Sequence, residues 1–208
     1  MSEATGMPRL RALHASPDAP AVDVYVDGLP AITNLSYAQI SDHTELSVGC
    51  HNVSVFPAGL GAQGSPVITV DVDLRAGQDY TAAAIGRLEN LTALVLLDST
   101  SMPGPNMAKA RALHASPDAP AVDVAILGGP TLFRNIGFGQ ATPFEEVSSG
   151  LVTVDIRPSG GRESVMTVPD LSVEPGNAYT IVALGMLRGT PPFATLTIAD
   201  RIRLPVPA

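Results

Sequence analysis

The chain has 208 residues, 45% hydrophobic and 15% charged, with 19 glycines and 19 prolines. That is enough apolar side chain for a core, which excludes a disordered chain, and breakers this frequent exclude long helices. A net charge of −8, with Lys109 the sole lysine among the 12 basic residues, leaves no basic stripe for nucleic acid, and no run reaches the ~20 apolar residues of a membrane-spanning helix.

Residues 1–8 show neither the basic nor the apolar stretch of an export signal, which leaves a cytoplasmic location open. Arg9–Ala15 reads as a short strand ending at Ser16-Pro17-Asp18-Ala19, where Pro and Asp favour a turn. Ala21–Asp27 alternates: Val22, Val24 and Val26 take one face, while Asp23, Tyr25 and Asp27 take the outward, solvated one. Asp27-Gly28 is a hairpin-turn signal. Ala31–Ile40 is ambiguous between loop and short helix. Strands follow at Glu45–Val48, His51–Phe56, Val67–Leu74, Tyr80–Gly86 and Leu91–Asp98.

The same order then recurs. Arg111–Val124 repeats Arg11–Val24 letter for letter, RALHASPDAPAVDV. Fainter matches pair Gly28 with Gly128, Pro30 with Pro130, Tyr37 with Phe138, and Gly77, Tyr80 and Gly86 with Gly176, Tyr179 and Gly185. A spacing of about one hundred residues is the size of a domain, not of a solenoid repeat. The expected organisation is therefore a first repeat over 8–98, a Pro/Gly linker over 99–109 and a second repeat over 110–204. In the second repeat, strands are predicted at Val122–Leu127, Val147–Arg157, Ser164–Val173, Tyr179–Gly185 and Ala194–Ile202, with Thr131–Gln140 ambiguous. About seven short strands per repeat predict an all-β fold of two tandem β-sandwich domains, antiparallel and of Greek-key type.

The signature H-A-S-P-D-A-P-A-V-D-V, followed by a Gly-Pro turn and later by A-G-x-x-Y-T, resembles domain of unknown function 4397, and both copies match over most of their length. The resemblance implies immunoglobulin-like sandwiches, often in tandem and usually in secreted or surface-attached proteins. It assigns no activity and brings no catalytic residues.

Candidate site residues concentrate in the signature: His14, Asp18 and Asp23 in the first copy, His114, Asp118 and Asp123 in the second. One histidine with one or two carboxylates falls short of the ligand number of a zinc site, and the acidic spacing does not fit a calcium loop. The preferred reading is that the histidine caps its strand and bonds to the SPDAP turn. His43, Cys50 and His51 cluster in the first copy alone, where Cys50, the sole cysteine, reads as a turn or core thiol that cannot form an intramolecular disulfide. Three glycosylation triplets begin at Asn34, Asn52 and Asn90. No Walker loop, nucleophile elbow or zincin helix is present.

With no catalytic set, no metal site and no cofactor motif, the chain is expected to be a non-enzymatic structural, adhesive or interaction module. Its expected partner is a protein or cell-envelope component, with self-association through edge strands as a further route. A small-ligand or carbohydrate-binding module is the alternative, weakened by the few aromatics. A metal site on His14, His114 and His51 ranks below both.

Overall fold

The computed structural model describes residues 6–61, 64–98 and 101–202, which divide into two compact units at residue 100. The first holds strands β1 (Arg9–His14), β2 (Val22–Val26), β3 (Leu29–Leu35), β4 (Thr44–Glu45), β5 (Gly49–Pro57), β6 (Ile68–Leu74), β7 (Asp79–Ile85) and β8 (Thr92–Leu97). The second holds β9 (Met107–His114), β10 (Val122–Ile126), β11 (Thr131–Ile136), β12 (Glu145–Ser148), β13 (Gly150–Pro158), β14 (Met166–Val173), β15 (Asn177–Leu184) and β16 (Ala194–Arg201). A 3-10 turn lies at Leu88–Asn90, and no described helix is long and apolar enough to cross a membrane. Ser99 and Thr100 of the expected linker, and 203–204 of the expected second repeat, lie outside the described residues.

Each unit is two four-stranded sheets, ordered β4-β1-β7-β8 and β3-β2-β5-β6 in the first, β12-β9-β15-β16 and β11-β10-β13-β14 in the second. Alternation explains the first core. Leu10 and Ala12 from one sheet meet Val22, Val24, Val26, Val53, Val55, Ile68, Val72 and Leu74 from the other. The second core repeats this with Ala110, Ala112, Val122, Val124, Val154, Ile156 and Ile181, and adds Phe133 and Phe193. At roughly 1.5–3 kcal/mol for each fully buried aliphatic side chain, these inward rows dominate the stability of each unit.

Three expectations need correction. The pairing is not wholly antiparallel, because β1 runs parallel to β7 and β9 parallel to β15. Strands so distant in sequence carry no hairpin constraint on their direction. The ambiguous segments hold no helix: their first parts belong to strands β3 and β11, and 36–40 and 137–140 are turns or irregular chain. β3 and β11 are edge strands whose register shifts against β2 and β10, and Asn34 and Asn135 take positive φ there. These irregularities, with Pro30 at the edge, break the period-two pattern. Finally, β9 begins at Met107, so Met107–Lys109 are strand and not linker. Ala108 and Ala110, the inward residues, are too small to stand out as a hydrophobic pattern.

The Asp27-Gly28 signal forms a two-residue hairpin turn with positive φ at both positions. That geometry suits the right-handed twist of the flanking strands.

Candidate functional site

The parallel pairing of β1 with β7 decides where the signature lies. Both strands end at the same edge of the unit, and the Ala15 amide extends the ladder by donating to the Ala84 carbonyl. The turn after β1 therefore lies beside the loop after β7. Asp18 uses this placement: its Oδ1 accepts the Leu88 amide at 2.8 Å. In the second unit, Asp118 accepts the Leu187 amide at 2.7 Å and the Arg188 amide at 2.9 Å.

Asp23 and Asp123 do not lie on a solvated face, contrary to the sequence reading. Both are buried. Asp23 accepts the Asn34 amide at 2.7 Å and the Gly59 amide at 3.0 Å, and so ties β2 to its edge strand and to the loop between β5 and β6. Asp123 does the same with Asn135 at 2.7 Å and Gly160 at 3.2 Å. Burial alone would raise the Asp123 pKa. The Asn135 and Gly160 amides, the Ser159 hydroxyl and the Arg134 charge outweigh it and hold the carboxyl below its ordinary value. Amides left unsatisfied by the irregular edge strands explain why a carboxylate belongs there.

His14 and His114 close the signature. Each is buried, and Nε2 donates to the carbonyl at the far end of the turn, Pro20 or Pro120, at 2.9 Å in both copies. The Tyr37 ring stands edge-on to His14 at 6.4 Å between centroids, and Phe138 takes the same place against His114 at 6.5 Å. For His114, burial lowers the pKa, and the Pro120 carbonyl opposes this only in part. The signature histidines and aspartates are thus spent on backbone groups, and the loop tips around them expose Leu60 and Leu88 in one unit, Phe138 and Leu187 in the other.

The expected His43–Cys50–His51 grouping does not form. Cys50 is exposed rather than a core or turn thiol, because it faces outward on β5 next to the inward, buried His51. His43 instead lies 3.7 Å from the Asp98 carboxylate, beside buried Arg11. Arg11 donates to Thr81 at 2.9 Å and approaches Asp98 at 3.5 Å. Arg111 donates to Thr180 at 2.9 Å and lies 4.5 Å from the centre of the Phe144 ring. These buried arginines escaped the sequence reading, although an arginine at the same place on the first strand of both identical blocks was a signal.

His51 belongs to a different group. Its Nδ1 lies 2.7 Å from Asp27 Oδ2, and its Nε2 lies 2.8 Å from the Ser47 carbonyl and 3.3 Å from the Ser47 hydroxyl. This borders an open groove of about 420 Å3 lined by Met7, Leu29, Leu46 and their neighbours. The order Ser-His-Asp is that of a nucleophile, base and orienter. However, the carbonyl is the nearer partner of Nε2 and requires a proton there, so no lone pair faces the hydroxyl. Two acceptors on one ring favour the imidazolium: the Asp27 carboxylate, then the Ser47 carbonyl, hold the His51 pKa above its ordinary value. The bond to His51 and the Asn52 amide hold Asp27 below its own.

Among the described residues, no three His, Cys, Asp or Glu side chains come together as a metal site. The asparagines of the three glycosylation triplets are all exposed.

All-β units built around this signature define the class, and the chain belongs to the family described as Domain of unknown function (DUF4397), whose pattern matches residues 8–125 and again 111–207. No curated protein matches the chain significantly. Among solved structures, the Bacillus anthracis TIE protein is 12% identical with a TM-score of 0.27, over 88% of this chain and 34% of its own. The chain thus spans about a third of that protein's length. A provisionally named cell adhesion protein from Bacteroides ovatus is 10% identical with a TM-score of 0.24, over 97% of this chain and 99% of its own.

Proposed function

We propose that each unit is a non-enzymatic recognition module that holds the loops of its signature end rigid for a protein or cell-envelope partner at the cell surface. The observation that supports this reading is the use of the signature carboxylates. In both units they bind backbone amides of the neighbouring edge strand and loops, and the bound loops expose Leu60 and Leu88 in the first unit and Leu187 in the second. A carboxylate that binds two backbone amides has little left for a substrate or cation, whereas an exposed leucine on a fixed loop loses little entropy when covered.

The test is binding of labelled protein to envelope preparations, comparing wild type with the double variant Leu88→Asp, Leu187→Asp. Saturable binding that falls at least tenfold in the double variant, with unchanged melting, supports the module. Equal binding by both proteins, or binding by neither, refutes it.

A further inference from the structure

We propose that each unit holds one buried, ordered water at the end of its first strand, bridging His14 Nδ1 to Ser16 Oγ in the first unit and His114 Nδ1 to Ser116 Oγ in the second. The argument begins with burial. His14 and His114 are each 1% exposed, and Ser16 and Ser116 are 0% exposed. All four polar atoms, Nδ1 and Oγ in each copy, lack a hydrogen-bond partner in the protein. The His114 ring lies near its own carbonyl, but in a geometry that makes no hydrogen bond.

The pattern is not random. Native interiors leave few polar atoms unsatisfied, and each asks for a partner. Here the same two atoms are left over twice, in a block identical between otherwise divergent copies. Chemistry narrows the partner. Nε2 faces a carbonyl in both copies, so it carries the proton, and in the neutral ring Nδ1 is an acceptor. The serine hydroxyl both donates and accepts. Residues 14 and 16 are two apart where the ladder continues through Ala15, so their side chains leave on the same side.

The occupant must therefore donate to Nδ1, complement a hydroxyl and fit beside the fully buried Ala15 or Ala115. A cation would require further ligands, and no three suitable groups meet among the described residues. A water donates to Nδ1 and pairs with a hydroxyl in either direction. In the first unit the Tyr37 hydroxyl is a third buried atom without a partner. The second unit has Phe138 at that place, so the shared site consists of the histidine and the serine.

A crystal structure of the full chain at about 1.5 Å or better tests this. The expected result is a solvent peak within about 3 Å of both atoms in both units. The proposal is overturned by Oγ bonded directly to Nδ1, by a peak in one unit only, or by no peak. In solution, oxygen-17 relaxation dispersion counts long-lived waters. The double variant Ser16→Ala, Ser116→Ala should hold two fewer than wild type while its amide spectrum stays native, and an unchanged count overturns the assignment. If that variant fails to fold, the wild-type crystal structure decides alone.

Discussion

In the second unit Glu145–Ser148 adds a four-residue strand to the edge of β9, whereas the first unit adds only Thr44–Glu45 to β1. The cause is one residue. Ala108 pairs with Val147 in the second unit, but the first has Pro8 in the place of Ala108. Proline has no N–H, so the Leu46 amide still donates to the Pro8 carbonyl at 3.0 Å while the return bond is missing. The chain then leaves the ladder, and Ser47 is held by His51, itself paired with Asp27. The second unit has Val152 and Leu127 at the matching positions and needs no such tie. One fold thus closes the same edge with backbone bonds in one copy and with side-chain charge in the other. The signature end, by contrast, is built the same way twice.

Substitutions that test this contrast differ in size. Asp23→Ala and Asp123→Ala should each destabilise their own unit by about 3 kcal/mol, since each removes two charge-assisted bonds and strands two amides. Calorimetry of the full chain with each variant checks this, and a large inequality would end the equivalence of the two signature ends. Next is the acid limb. The Asp123 carboxyl is held below its ordinary 3.8, so its contribution is complete above that value and is lost as pH falls through the lower, folded-state pKa. Asp123→Asn should flatten the loss of second-unit stability below about pH 4.

The edge tie has the opposite sign at its histidine. His51 is held above its ordinary 6.5, so its stabilisation is complete below that value and disappears as pH rises through the higher, folded-state pKa. His51→Val, which installs the second unit's residue, should lower first-unit melting at pH 6 and leave it unchanged well above the folded-state pKa. An NMR titration that placed His51 at or below 6.5 would remove the charge from this tie. The smallest effect is expected for Pro8→Ala, within about 1 kcal/mol, because a regained edge bond offsets the lost rigidity of proline. Slower hydrogen exchange at Leu46 is its readout.

The repeat, the inward valines, the Asp27-Gly28 turn and the tyrosines of the G-x-x-Y-T segments were legible in the chain. Tyr80 and Tyr179 each accept the amide five residues upstream and so hold the turn before their strands. Such features depend on local period and turn chemistry, which neighbouring residues carry. The role of the signature acids was not legible. Asp23 alternates with valines and reads as outward and wet, and its burial depends on amides of Asn34 and Gly59, from a bulged strand and a distant loop.

The chain alone determined that this protein is two copies of one sheet-rich unit, because identity between repeats and period-two burial are properties of order along the backbone. Only the tertiary structure decided that β1 lies parallel to β7, that Asp18 therefore meets the Leu88 amide, and that His51 finds Asp27 rather than Cys50. Those outcomes depend on pairing between residues 24 to 70 positions apart, and no local pattern encodes which distant donor an acceptor will meet.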